Sequence, residues 1–321
     1  MILELHFSII IPVYNRPQEI DELLMSLTLQ SFKNDFEIII VEDGSEEKCD
    51  FLIKKYENQL NLKYFFKENS GAGASRNYGI EHASGNYFII LDSDVLLPIH
   101  YLDEVHKTLT HNFTDAYGGP DAAHESFTTI QKAINYSMTS LLTTGGIRGK
   151  KNAVSKFQPR SFNMGISKIA FKATKGYSKM KYGEDIDLSL RLINLGYKTQ
   201  LIEKAFVFHK RRSSFKQFLN QTYNFGTARP ILNKKYPSTA KITYWFPSLF
   251  MIGVILSAIG LMFGYWQLWL MFKIYFLVLF LDASIQNKSV KVGFVSTITT
   301  LTQFMGYGFG FLKSYLIPQK L

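Results

Sequence analysis

Tyr87-Phe88-Ile89-Ile90-Leu91-Asp92-Ser93-Asp94 is the stretch on which the fold turns, an apolar run followed at once by two carboxylates one residue apart. Such a run predicts a buried strand, and the acids then fall where that strand meets solvent. Two carboxylates at this spacing offer oxygen ligands to a hard divalent cation, and a cation with open positions can bridge the phosphates of a nucleotide. Alone, the triplet is short enough to recur by chance and reads better as a solvated turn. Its neighbours decide.

On either side of it, the first 240 residues alternate strand and helix signals. Phe7 to Val13 reads as a short buried strand, Glu19 to Leu29 as a helix, and Phe36 to Val41 as a second strand that ends in Glu42, Asp43 and Gly44. Residues 50 to 60 read as helix, Leu62 to Phe66 as strand and Ala74 to Ala83 as helix. This alternation predicts βαβ units on a parallel sheet. Ligands of such sheets bind at the carboxyl ends of the strands, where Pro12 to Asn15, Asp43 and Asp92 to Asp94 all fall. Gly71-Ala72-Gly73-Ala74-Ser75-Arg76-Asn77 opens the preceding helix. Glycines there let backbone amides approach an anion, or simply make a cap and tight turn. Arg76, one turn in, can reach a phosphate or a base edge, or can lie on the surface.

The 321 residues are 46% hydrophobic and 19% charged, enough to bury one or two cores and incompatible with disorder. The single cysteine, Cys49, excludes a disulfide framework and a four-thiolate zinc site, and suits a reducing, cytosolic setting. A net charge of +10 fits either nucleic acid or an anionic membrane surface. Residues 242 to 272 carry no Asp, Glu, Lys or Arg. A span takes about 20 apolar residues, so this stretch predicts a hairpin broken near Gly264, with spans near 244–262 and 266–284. Lys273 is a costly residue in the second of these. Val292 to Leu312 is long enough to cross but rich in Thr, Gly and Gln. Lys210, Arg211, Arg212, Lys216, Lys234, Lys235 and Lys241 precede the first span, which places the amino-terminal part on the cytoplasmic side of the cytoplasmic membrane. The same cluster meets anionic headgroups favourably, which explains the charge without nucleic acid. Phe7 to Val13 is short and lacks a small-residue cleavage site, so no cleavable signal is expected.

Taken together, Ile11-Pro12-Val13-Tyr14-Asn15, Glu42-Asp43-Gly44-Ser45, Ala74-Ser75-Arg76-Asn77-Tyr78-Gly79 and Asp92-Ser93-Asp94 resemble, in order and spacing, a family 2 glycosyltransferase of the GT-A fold, membrane-anchored and bacterial in type. The resemblance covers roughly the first 230 residues. It implies an α/β domain over 1–240 with a mostly parallel sheet, a membrane region of two or three helices over 241–321, and a nucleotide-sugar donor. Asp43 would bind the base or ribose, Pro12, Val13 and Tyr14 would line the base pocket, and Arg76 would support the nucleotide. Asp92 would touch the ribose and Asp94 would bind Mn2+ or Mg2+.

Gly183-Glu184-Asp185-Ile186-Asp187-Leu188 leads into a helix, Ser189 to Leu195, ended by Gly196. Acids at a helix start serve the dipole, but a sugar hydroxyl also needs a general base at neutral pH. The resemblance puts Glu184 and Asp185 in the acceptor site, with Asp185 as the base of an inverting transfer. Asn163-Met164-Gly165 and Gly176-Tyr177 resemble the acceptor-side strand and turn, although Thr174-Lys175 stands where many members have a glycine before Gly176. Arg148, Lys150, Lys151 and Lys156 crowd the stretch Gly145 to Arg160, a loop either near the acceptor or merely solvated. His209, after the strand Ala205 to Phe208, is either structural or the third metal ligand that GT-A enzymes place there. Phe215, Tyr223, Gly226 and Arg229 resemble the family's membrane-proximal helix. The Gln-x-x-Arg-Trp signature of processive synthases is absent, which favours transfer of one sugar to a lipid-linked or glycan acceptor. A polyprenyl-phosphate glycosyltransferase is the alternative, but its anionic acceptor needs no base, and Glu184-Asp185 argues against it. A non-catalytic membrane scaffold is a third reading, opposed by the presence of Asp94 and Asp185.

Overall fold

The computed structural model describes residues 4–144 and 157–317. Contacts group the chain into two compact units, Met1–His124 with Gly149–His209, and Glu125–Arg148 with Lys210–Leu321. The sequence suggested a division at 240. By contacts, residues 125–148 and 210–240 group with the helical unit.

The first unit runs β1 (Phe7–Val13), α1 (Pro17–Thr28), β2 (Phe36–Asp43), α2 (Phe51–Tyr56), β3 (Asn61–Lys67), α3 (Ala72–Glu81), β4 (Tyr87–Leu91), β5 (Val95–Leu96), α4 (Tyr101–His111), β6 (Ala116–Gly118) and β7 (Asp121–Ala122). The chain then makes α5 (Thr129–Thr139) and α6 (Leu141–Thr144) in the second unit and returns through β8 (Asn163–Ser167), α7 (Lys168–Thr174), α8 (Glu184–Asn194), β9 (Thr199–Leu201) and β10 (Val207–His209). Seven strands form one sheet in the order β3-β2-β1-β4-β8-β6-β9. The β3-β2-β1-β4 part is parallel, β8 runs against both β4 and β6, and β6 pairs in parallel with β9. A second sheet has the order β5-β10-β7.

The apolar runs of β1, β2 and β4 are continuous because both sheet faces are covered. Ile9, Ile11, Ile38, Ile40, Ile89 and Leu91 pack with α1 and α4 residues such as Leu23 and Val105. Their neighbours Ile10, Ile39 and Ile90 turn the other way onto Ile80, Phe171 and Leu188 of α3, α7 and α8. Gly79 lets α3 lie close to that face, since a Cβ there would stand 2.7 Å from the Ile10 side chain. The ends of β1, β2 and β4, with Asn15, Asp43 and Asp92, therefore emerge at the carboxyl edge of a doubly covered sheet.

The second unit adds α9 (Phe215–Lys235), α10 (Phe246–Met262), α11 (Gln267–Gln286) and α12 (Val290–Leu316). α12 is its centre and packs against α5, α9, α10 and α11. Small residues make that possible. A Cβ on Gly306 would lie 2.2 Å from Thr222 Oγ1, one on Gly310 2.2 Å from the Tyr223 carbonyl, and one on Gly293 1.9 Å from Ser284 Oγ. Ser137 and Thr299 join their hydroxyls at 2.6 Å between α5 and α12.

Ile242–Met262 and Gln267–Gln286 have mean hydropathies of 2.0 and 1.9, long and apolar enough to cross a membrane. Only 17% and 11% of their apolar windows are buried, which is unlike the core helix of a soluble protein. Gly264 makes the break between them, in the left-handed region at φ +82°. Lys273 is exposed.

Candidate active site

The loops after β1 and β2 are tied together before any ligand is considered. Asn15 takes a left-handed conformation at φ 51°, a region asparagine tolerates better than most residues. Its amide donates to Ser45 Oγ at 2.8 Å, and its side-chain oxygen accepts from the Glu46 amide at 2.8 Å. Gly44 has φ +72°, and a Cβ there would stand 2.7 Å from the Asn69 amide, so only glycine fits that turn. Asp43 accepts from the amides of Ser70 and Gly71, each at 2.9 Å, and from Lys67 Nζ. Burial would raise its pKa, but Lys67 and the loop amides outweigh burial and hold it below the ordinary carboxylate value. Asp43 thus clamps the loop that leads into α3. Tyr14 is 51% exposed and Pro12 half-buried, while Val13 points into the core and offers a pocket little beyond its backbone.

Arg76 is buried on the first turns of α3 and joins two of the acidic motifs. Its Nη2 donates to Asp92 Oδ1 at 2.7 Å and its Nη1 to Glu184 Oε1 at 3.1 Å. Its guanidinium lies over the Tyr177 ring, 5.3 Å from the centroid. Burial opposes the charge, but Asp92, Tyr177 and Glu184 together favour it and raise the guanidinium's pKa. Glu184 departs in the opposite sense to Asp43, because burial and the neighbouring Asp185 outweigh Arg76 and raise its pKa. Gly73 leaves room here, as a Cβ would press on Glu184 Cγ at 3.2 Å.

The Glu184-Asp185 pair is held by the Gly176-Tyr177 turn and by the start of α8. Asn77 of α3 accepts from the Tyr177 amide at 2.8 Å and donates to the Tyr177 carbonyl at 2.9 Å. α8 begins at Glu184, earlier than the Ser189 start expected, after Gly183 in a left-handed conformation at φ 81°. Asp185 Oδ1 accepts from the Ile186 amide at 2.8 Å, and Oδ2 accepts from Arg160 Nη1 at 3.2 Å. Arg160 and the asparagine of β8 belong to the described residues. The expected basic loop with Arg148, Lys150, Lys151 and Lys156 lies outside them.

His209 reaches the acids through strand register. β10 runs antiparallel to β5, with His209 opposite Val95, the residue after Asp94. His209 Nε2 lies 3.2 Å from Asp94 Oδ1, and its ring stacks on Phe162 with centroids 5.1 Å apart. Asp121 of β7 stands behind, with Oδ2 at 3.9 Å from His209 Nδ1. That distance is an ion-pair contact and too long for a hydrogen bond. Asp92, Asp94 and His209 present ligand atoms all within 4.8 Å of one another. Among the described residues, buried Asp94 Oδ1 and His209 Nδ1 have no hydrogen-bond partner of good geometry. A hard-donor carboxylate pair with one imidazole, leaving a buried carboxylate oxygen unsatisfied, fits a divalent cation. Burial would raise the Asp94 pKa, but His209 and Arg16 outweigh it and hold the carboxyl far below its ordinary value.

The structure thus gathers Arg76, Asp92, Asp94, Glu184, Asp185 and His209 along one edge of the sheet. Three residues had no sequence signal: Arg16, which donates to Asp94 Oδ2, together with Arg160 and Asp121. Each acts through a partner distant in sequence.

A doubly covered sheet with these acids at its carboxyl edge is the architecture of a GT-A transferase. Residues 8–174, more than half of the chain, match the model of glycosyl transferase family 2, and the protein belongs to that family. It is 43% identical over 98 residues to an uncharacterised glycosyltransferase of Rickettsia conorii, a match covering 30% of this chain and 16% of that one. It is 41% identical over 91 residues to the poly(ribitol-phosphate) β-N-acetylglucosaminyltransferase TarS of Staphylococcus aureus, covering 27% of this chain and 16% of TarS. These matched segments therefore span about a sixth of the relatives' own length. In structure, TarS residues 1–349 in complex with UDP-GlcNAc align with a TM-score of 0.53 at 17% identity, covering 98% of this chain and 92% of that one. The mannosyltransferase PcManGT of Pyrobaculum calidifontis, in complex with GDP-Man and Mn2+, aligns with a TM-score of 0.59 at 13% identity, covering 98% and 88%. Likeness at these identities concerns the fold.

Proposed function

We propose that the protein is an inverting glycosyltransferase that moves a sugar from a nucleotide-diphosphate sugar, a UDP-sugar in our reading, to a hydroxyl of a membrane-associated glycan or glycolipid. One observation carries this reading: a buried guanidinium, Arg76, links Asp92 of the Asp92–Asp94–His209 cluster directly to Glu184 of the Glu184–Asp185 pair. Donor-type and acceptor-type acids are thereby held in one network. The complexes of TarS with UDP-GlcNAc and of PcManGT with GDP-Man support a nucleotide-sugar donor.

In the proposed reaction Asp185 Oδ2 accepts the proton of the acceptor hydroxyl as its oxygen bonds to the anomeric carbon. The bond from that carbon to the diphosphate oxygen breaks, its electron pair leaves with the diphosphate, and attack from the opposite face inverts the centre. Arg160 holds the Asp185 rotamer, and Arg76 fixes Glu184 beside it. Asp92 contacts the ribose, Asp43 and Tyr14 lie at the base end, and Arg76 supports the nucleotide side through Asp92. Asp94 and His209, with Asp121 behind the ring, would hold Mn2+ or Mg2+. That cation supplies charge neutralisation for the diphosphate.

The membrane reading rests on the two exposed apolar helices and on the basic residues that precede them, which orient the amino-terminal part towards the cytoplasm. Val292 to Leu312 lies within α12, whose small and hydroxylic residues pack against its neighbours as membrane helices do.

The test is donor consumption by purified protein in detergent with Mn2+ and a panel of nucleotide sugars, with membrane lipid extract as acceptor. Turnover of one donor, lost in EDTA, is the expected result. An axial-to-equatorial change, or its reverse, at the transferred anomeric carbon by NMR checks inversion; retention would refute the mechanism.

A further inference from the structure

Arg16, between β1 and α1, does not belong to any role derived above. Its Nη1 donates to Asp94 Oδ2, while Asp94 Oδ1 faces His209 Nε2 at 3.2 Å. The two oxygens of one carboxylate are thus divided between a guanidinium and the candidate cation cluster. The Arg16 side chain is 25% exposed and that of Asp94 10%, so the pair is no solvated surface contact. Most of the strength of such a pair comes from its partial removal from water, where like charges also repel most strongly. A divalent cation on Asp94 would stand within a few ångströms of the guanidinium and would compete with it for the same carboxylate. Arg16 also sits at the carboxyl edge of the sheet, beside Tyr14 and Asn15, where a donor's phosphates would lie.

We propose that Arg16 is the resident counter-ion of Asp94, that a divalent cation has to displace it, and that a nucleotide diphosphate relieves the competition by taking over the guanidinium. Cation and nucleotide then bind with positive coupling, each raising the affinity of the other by the same factor. A cation arriving without nucleotide meets an occupied carboxylate. This inference rests on the reading of Asp94 as a metal ligand.

The experiment is Mn2+ binding to the full chain in detergent, followed by electron paramagnetic resonance without nucleotide and with saturating UDP, and with GDP in a parallel titration. Wild type, Arg16→Gln, Arg16→Lys and Asp94→Asn are compared. Arg16→Gln should bind Mn2+ alone about ten-fold more tightly than wild type, and the further gain from nucleotide should shrink to less than about three-fold. Arg16→Lys, which keeps the charge, should track wild type. Unchanged Mn2+ affinity in Arg16→Gln, with binding still lost in Asp94→Asn, overturns the proposal and leaves Asp94 as a ligand. Binding by Asp94→Asn at wild-type strength overturns the metal reading and the proposal together. Should Arg16→Gln fail to fold, wild type alone is decisive against it: no rise in Mn2+ affinity with either nucleotide refutes the coupling.

Discussion

Asp94 and Glu184 are both largely buried carboxylates that face an arginine, yet they leave the ordinary carboxylate range in opposite directions. Asp94 has both Arg16 and His209 against its carboxylate, and together they outweigh the cost of burial. Glu184 shares Arg76 with Asp92 and has Asp185 as its sequence neighbour, so burial prevails. Local pairing, more than depth, decides whether a buried acid is kept charged. In the proposed reaction this contrast would suit Asp94 to an anionic ligand and Glu184 to a wall of the acceptor side.

The comparison breaks most completely if Asp94 is neutralised. Asp94→Asn should abolish nucleotide-sugar turnover and Mn2+ binding together, read by donor consumption and paramagnetic resonance. On the other side of the pair, Asp185→Asn should keep nucleotide binding by calorimetry but lose about 10³-fold in transfer rate. Transfer at the wild-type rate would remove Asp185 from the role of base. Arg76→Ala addresses the link between the two sides and should cost about 3–5 kcal/mol of stability, because it leaves Asp92 and Glu184 without their buried partner. Thermal unfolding in detergent measures it, and a midpoint within about 1 °C of wild type would show that the bridge is energetically idle.

Glu37 sharpens the comparison from outside the site. Burial would raise its pKa, but Lys63, Ser8 and Ser84 outweigh it and lower it to about 2. A carboxyl whose pKa is lower folded than unfolded stabilises the fold fully above its unfolded value, near 4.5, and loses that contribution as pH falls towards 2. The loss should amount to about 2 kcal/mol, discounted for the partly exposed Lys63 ammonium. Glu37→Gln should flatten the acid limb of stability between those pH values, and an unchanged limb would mean that the Lys63 pair contributes nothing.

The part of this molecule that could be read from sequence is the part in which neighbours along the chain are also neighbours in function. Five apolar residues followed by Asp92 and Asp94 announce a strand end, and Gly71 to Asn77 announces a helix start. Arg16, Arg160 and Asp121 announced nothing, because an isolated arginine or aspartate acquires meaning only from the sheet that delivers it to a partner. Asp43 shows a third case. Its position at the end of β2 was legible, but its engagement with the amides of Ser70 and Gly71 depends on how the following loop folds back. The grouping of α5 with the carboxy-terminal helices was equally invisible, since it rests on contacts distant in sequence: Ile134 and Met138 with Phe218, Tyr136 with Leu279, and Ser137 with Thr299.

β10 is only three residues long, yet it works as a ruler. Side chains alternate along a strand, so its pairing with β5 sends His209 to Asp94 and Phe208 away from it. Removing one residue between Ala205 and His209 would turn His209 to the side that Phe208 now takes and leave Asp94 without its imidazole neighbour. Anyone who grafts or shortens this segment is therefore changing what stands beside Asp94 by counting residues, without touching a single acid.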